Sequence, residues 1–368
     1  MLAPLLPKHI PSLDGLRGVS VLVVLFGHVS ATNGAPQFLD HSYIHSLGNV
    51  GVRFFFVLSG FLITTLLLRE WDKTGEISLK NFYIRRVRRI FPAIMAYIAI
   101  IWALYVFGVI DLRQHLYSGT VTESAIPDLV RALTFTANFH HDYNWYFNHL
   151  WSLSVEEQFY LVWPVLMIIS GPRRWLWISL AVICMAPFIR WYMYLNLTGN
   201  HVALSREFQA ICDSLLTGAV AAMLYNFVSE NRGLRNVAES SLALVMGILM
   251  LGIGYASVLI RPEYSYIIGQ SFSNFGIALI LQYLVRTPEG LIGKFVSNRL
   301  FVWFGLISYS LYIWQQPFTN FKLTTFEVSF PQNIALSIIT AYLSYTLIER
   351  AFISRKLDNQ EVRRPHSG

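Results

Sequence analysis

The sequence predicts an all-α protein, a polytopic membrane helical bundle of about ten transmembrane helices with both termini cytoplasmic. Three observations lead there. Of 368 residues, 54% are hydrophobic and 13% charged, with a mean hydropathy of +0.47, whereas a soluble domain is about one quarter charged. The apolar residues gather in runs of about 17–22, the length that crosses a hydrocarbon core. Lys and Arg crowd into alternate connectors, as a multi-pass chain requires. The whole chain, 1–368, reads as one integral-membrane domain, with spans over roughly 11–352 and a short cytoplasmic tail at 353–368.

In chain order the expected spans are 13–32, 50–69, 91–110, 151–170, 175–195, 208–228, 240–260, 266–285, 301–319 and 332–350. The first has some features of a signal peptide, since Lys8 precedes an apolar run. Asp14, Arg17 and the length of the run instead favour a spanning helix. Stretch 129–139 is too short to cross and reads as a re-entrant or interfacial helix. With both termini inside, the cytoplasmic segments hold twenty Lys and Arg, the outer segments five, and three lie within spans. That asymmetry sets the orientation. The net charge of +7 is scattered among short connectors, which excludes a nucleic-acid surface. Cys184 and Cys212 each sit in an apolar run and read as small hydrophobes, with no disulfide framework.

Ionisable residues inside spans are costly, on the order of 3 kcal/mol each, and so they mark function by default. Arg17 and His28 lie eleven positions apart in the first span. At 100° per residue that offset closes three turns to within about 20°, so both share one face with Asp14, ~16 Å apart along the axis. In the second span Arg53, Gly60 and Thr64 share a face, and the small Ser59–Gly60 pair lets a helix or substrate approach the backbone. In the fourth, His149, Glu156, Tyr160 and Trp163 align, and Arg53 or His28 is the expected partner for Glu156. The ninth aligns Ser308, Tyr312 and Gln315, and the tenth Tyr342, Tyr345 and Glu349. Each stripe also suits an interhelical hydrogen bond or ion pair that holds the bundle together.

The run FYIRRVRRIFP crowds Arg85, Arg86, Arg88 and Arg89 before Pro92, which is expected to open the third span. It fits a topology signal that also attracts anionic lipid headgroups. It fits equally a phosphate clamp, with Arg86 and Arg89 on one helix face. His41, His45, His140, His141 and His149 are expected in or beside outer loops. The spacing of His41 and His45 suits metal ligands, but no cluster of ligating residues accompanies it, and no metal is expected.

Taken together, the motifs IPSLDGLRGVSVLVVLFGHV, GVRFFFVLSGFLIT, FYIRRVRRIFP, HLWSLSVEEQFYLVWP, FGLISYSLYIWQQPF and LSYTLIERAF resemble those of the membrane-bound acyltransferase 3 family. That family modifies surface glycans, antibiotics and other acceptors with acetyl or related groups. The resemblance implies that His28 is the catalytic histidine and Arg17 its partner. It assigns Arg86 and Arg89 to the acyl-CoA side, and Glu156 to the active-site cavity. Asp14, Arg53, Ser59, Gly60, Tyr160 and Tyr312 are the further substrate or cavity candidates. Two positions depart from the family pattern. Gln315 follows Trp314 where a His is frequent, and Ala351 follows Glu349–Arg350 where a Pro is frequent. The first concentrates acid–base work on His28. Some relatives carry an esterase-like domain after the bundle, so here any final transfer step is expected in the bundle or on a partner.

The implied reaction moves an acetyl or similar short acyl group from cytoplasmic acyl-CoA to a hydroxyl of a surface polysaccharide or lipid-linked glycan. Acyl-CoA is then a donor substrate, with no permanently bound cofactor. The partners are the glycan acceptor and membrane lipid, and the setting is the bacterial inner or plasma membrane. Such chemistry needs a base for the hydroxyl proton and stabilisation of the oxyanion. An imidazole suits the first task near neutral pH. Two alternatives use the same residues: acylation of a small molecule such as a macrolide, and a proton-coupled transporter whose polar stripe lines a substrate path.

Overall fold

The structure is a computed structural model that describes residues 6–7, 9–39, 42–115, 119–142, 144–197, 201–320 and 328–352, with the backbone alone at 42, 43, 45, 259 and 262. Lys8, His41, Lys322, the side chain of His45 and the expected tail at 353–368 lie outside the described residues. Among these residues no β-strand forms, only two isolated bridges.

Helix α1 spans Pro11–Val29, α2 Ser42–Thr74, α3 Leu79–Val106 and the short α4 Ile126–Leu133. Then come α5 Trp145–Asn148, α6 Leu150–Ser170, α7 Pro172–Asn196, α8 Phe208–Met223, α9 Tyr225–Glu230 and α10 Arg232–Ala238. Next are α11 Ser241–Ile260, α12 Pro262–Tyr264 with a π-turn at Ser265–Gly269, and α13 Gln270–Arg286. Helices α14 Leu291–Val296, α15 Arg299–Leu306, α16 Ser308–Trp314 and α17 Gln332–Ser344 complete the described chain, and α17 runs on as a π-turn at Tyr345–Glu349.

Among the described residues seven helices are long and apolar enough to cross a membrane. They lie in α1, α2, α3, α5–α6, α7, α11 and the π-turn with α13. The other three expected spans are not among them, and two are interrupted. Segment 208–228 breaks at Leu224 after a 16-residue α8, and 301–319 breaks at Ile307, where φ −92° and ψ 5° leave the helical region. Segment 332–350 stays helical from α17 through its π-turn to Phe352, yet is not among the seven. Apolar composition registered the first two as spans but does not report backbone continuity. Pro92 also differs from expectation. It lies inside α3, whose first turn is capped by Ser78 accepting from the Asn81 N–H at 3.4 Å. The arginine run therefore sits on the helix itself, and α4 is the short helix expected near 129–139.

Small residues let the central helices touch. A Cβ at Gly60 would collide with the Leu215 carbonyl of α8, and one at Gly218 with the Val57 carbonyl of α2. Gly15 and Gly18 of α1 likewise receive the Val296 and Phe301 carbonyls. Lipid offers no hydrophobic drive between helices, so such close backbone packing supplies the cohesion. Around α2 the buried core runs from Phe56 and Ile63 to Tyr97, Trp163 and Leu215.

Candidate active site

A cavity of about 100 Å³ opens between α1, α2, α3, α6 and α16. Each helix contributes polar side chains on one face: Arg17, Ser59, Arg86 with Arg89, Ser152 with Glu156 and Tyr160, and Ser308 with Tyr309 and Tyr312. Glu156 accepts from Ser59 Oγ at 3.0 Å on one carboxylate oxygen and from the Tyr160 hydroxyl at 3.2 Å on the other. The Arg86 guanidinium lies over the Tyr160 ring, 4.5 Å from its centroid, a cation–π contact strengthened by exclusion of water. Arg17 lies within electrostatic range of both Arg86 and Arg89. Three guanidiniums therefore crowd one mouth, against Glu156 and the Asp14 carboxylate 3.5 Å from Arg17.

Beyond Tyr312 lies a second polar group of side chains. The Tyr312 hydroxyl donates to the His149 carbonyl at 3.0 Å and shares a short hydrogen bond with Ser152. The His149 ring is 3% exposed, packed edge-on against Tyr97 at 5.4 Å and tilted against Tyr312 at 5.6 Å. It lies within electrostatic range of His28 and approaches the Ile313 backbone, yet neither ring nitrogen meets hydrogen-bond geometry. His28 sits edge-on to Trp145 at 6.3 Å and beside the Gln315 side chain. His28 Nδ1, Trp314 Nε1 and the side-chain oxygens of Gln315 and Gln316 are likewise buried without a hydrogen bond. Buried polar groups are nearly always satisfied. Several of these open atoms belong to His28, His149 and the Trp314–Gln316 stretch beside them.

Of the residues singled out in sequence, Arg17, Ser59, Arg86, Arg89, Glu156, Tyr160 and Tyr312 line one cavity. His28 is not on its wall but stands beyond Tyr312 with His149 and Gln315. Glu156 does not pair with Arg53 or His28; Ser59 and Tyr160 satisfy it instead. Arg53 turns to α13, where its Nη1 is 3.5 Å from Asn274 Oδ1. Gly60 contacts α8 rather than the cavity. Asp14 pairs with Arg17 and with His9, at 2.8 Å from His9 Nε2. His149 is the residue the sequence reading missed as a site member. Its helical offset of seven from Glu156 places it in the same stripe.

Fold and cavity together define a polytopic helical membrane protein with a polar site inside its bundle. The family is specific: residues 10–349 match the acyltransferase domain family, and the chain belongs to it. A Staphylococcus aureus (strain COL) protein named "Putative O-acetyltransferase" is 30% identical over 375 residues, covering 94% of this chain and 57% of that protein. The peptidoglycan O-acetyltransferase of Listeria monocytogenes serovar 1/2a (strain ATCC BAA-679 / EGD-e) is 27% identical over 373 residues, covering 93% of this chain and 55% of its own length. The chain thus spans just over half the length of these curated relatives. No solved structure matches it.

Proposed function

We propose that the chain moves an acetyl or similar short acyl group from acyl-CoA to a hydroxyl of a cell-surface polysaccharide or lipid-linked glycan. The observation that carries this reading is a cavity walled by Arg17, Arg86 and Arg89 whose Tyr312 packs against His149, which lies within electrostatic range of His28. Arg17, Arg86 and Arg89 suit the phosphates of a CoA thioester, which guanidiniums grip bidentately. In the proposed topology ten segments cross the bilayer, two as broken helices, and both termini are cytoplasmic. The Lys and Arg bias supports that orientation. The arginine mouth then faces the compartment that makes acyl-CoA, and His28 lies toward the acceptor side.

In the reaction, His28 takes the proton of the acceptor hydroxyl as its oxygen attacks the thioester carbonyl. The C–S bond breaks, the thiolate leaves and regains the proton, and the products are an ester and free CoA. Alternatively, His28 itself carries the acyl group as an acyl-imidazole. The open indole N–H of Trp314 and the His149 ring are available to steady the oxyanion. Relatives named as O-acetyltransferases support the reaction class.

The test is transfer of labelled acetyl from acetyl-CoA by membranes holding the intact chain. His28→Ala is expected to lower turnover by about 10²–10⁴-fold, the span of a general base, while the protein stays folded in the membrane. Normal turnover in that variant refutes the role of His28. Absence of any acetyl transfer by the unaltered protein, across glycan and macrolide acceptors, refutes the reading as a whole.

A further inference from the structure

A second, larger cavity of about 370 Å³ lies on the other side of α2, between α2, α6, α8, α11 and α13. Its volume falls in the usual range for small-molecule sites, roughly 300–1,000 Å³. Asn49, Arg53, Trp151, Tyr266, Gln270 and Ser273 are among its walls.

Arg53 gives the cavity its character. Its one hydrogen bond, to Asn274 Oδ1, is long at 3.5 Å, and Ser214 Oγ already donates to that oxygen at 2.9 Å. Among the described residues no carboxylate is within ion-pair distance of it. The nearest influential acid, Asp213, is held by Arg190 at 3.0 Å. Asp213 thus attracts Arg53 without forming an ion pair with it, and a guanidinium inside a membrane bundle without a direct ionic partner is costly unless a ligand supplies one. Gln270 adds an independent mark. It is 4% exposed, its Nε2 donates to the Leu204 carbonyl at 2.9 Å, and this hydrogen bond orients the amide. Its Oε1 is left buried and without a donor. One wall therefore asks for an anion and another for a hydroxyl. Trp151 offers an aromatic face, and the Arg206 guanidinium lies over the same ring at 5.5 Å.

We propose that this cavity binds an anionic, hydroxyl-rich ligand, with its acid group on Arg53 and a hydroxyl donating to Gln270. An acidic saccharide and a hydroxylated anionic lipid headgroup share that chemistry. The site lies beside the first cavity: Val52 lines both, and Trp151 lines one while Ser152 and Leu153 line the other. Phe56 and Trp151, edge to face at 6.1 Å, form part of the partition. Ser46, Asn49 and Arg53 belong to the N-terminal half of α2, the half remote from the arginine run that follows its C-terminus. The inference goes beyond the acyl-transfer reading and rests on binding alone, so the failure of one leaves the other standing.

The test uses the full chain in phosphatidylcholine nanodiscs. One arm titrates a glucuronic acid tetramer calorimetrically against a neutral glucose tetramer. The other compares retention of phosphatidylglycerol and phosphatidylcholine by native mass spectrometry. The expected result is binding of the acidic member in at least one arm. Arg53→Met should weaken it by about tenfold or more, as loss of a charge-assisted hydrogen bond does, with Arg53→Lys recovering part. Gln270→Leu should weaken it by about fivefold, as loss of a neutral hydrogen bond does. It carries the test alone if Arg53→Met fails to fold. Saccharide binding alone identifies a sugar ligand, and lipid retention alone identifies a headgroup. Equal binding of the neutral member, unchanged affinity in the folded variants, or no binding in either arm overturns the proposal.

Discussion

Arg190 and the His28–His149 pair are both buried polar groups inside the bundle, and they are treated in opposite ways. Arg190 is 0% exposed and fully engaged: it donates to Asp213, to the Ile267 and Ala210 carbonyls and to Ser271 Oγ, all within 3.1 Å. It ties α7 to α8, α13 and the π-turn before α13. The histidine pair, by contrast, leaves three ring nitrogens without hydrogen bonds, with Trp314, Gln315 and Gln316 open around it. A satisfied guanidinium is a structural clasp. An unsatisfied polar cluster costs stability in the absence of a ligand and is tolerated where a ligand restores the missing bonds.

The sharpest way to break this contrast is to replace one member of each kind. Arg190→Met leaves the Asp213 carboxylate buried and unpaired, at a cost of about 3–5 kcal/mol. Folded protein should fall and transfer should fall with it, as followed by thermal melting in detergent and by acetyl transfer. Retained folding would show that the clasp is dispensable. His149→Phe should behave in the opposite sense. The ring volume against Tyr97 and Tyr312 is kept while two unsatisfied nitrogens vanish, so the melting temperature should hold or rise. Transfer should fall by about tenfold or more if the ring contacts the reacting groups. Activity equal to the unaltered protein would reduce His149 to packing. The smallest expected effect is that of Tyr312→Phe. It removes the hydroxyl that holds the His149 carbonyl and Ser152, worth about 1 kcal/mol. A modest loss of turnover with nearly unchanged melting is expected, and a large loss of turnover would promote the hydroxyl to direct contact with substrate.

The stripes read from helical period were accurate where the helix was continuous. Glu156 and Tyr160 do share a face, as do Ser308 and Tyr312, and all four line the same cavity. In α2 the period held but the partner did not. Arg53, Gly60 and Thr64 face α13, α8 and Trp163 respectively, with Trp163 Nε1 donating to Thr64 at 2.9 Å. The cavity belongs to the neighbouring face of Val52, Phe55, Phe56, Ser59 and Leu62. Gln315, read as the loss of a second histidine, stands beside His28, and His149, at the start of α6, lies within electrostatic range of it. A sequence reading could not pair them, because they are 121 positions apart and no local pattern links them.

By itself the sequence determined that this chain is helical and membrane-embedded, and its motifs carried the family and most of the cavity residues. Length and apolarity decide that much, because lipid accepts only backbone that satisfies its own hydrogen bonds. The tertiary structure decided the rest. It brought Arg17 to Arg86 and Arg89, gave Glu156 to Ser59 and Tyr160, sent Arg53 to a second cavity and interrupted two of the expected spans. The physical reason is that helical period sets which residues share a face but not the direction that face takes in the bundle. With lipid as apolar as the helices themselves, that direction is set by close backbone contacts and polar pairs, which form only when distant segments meet.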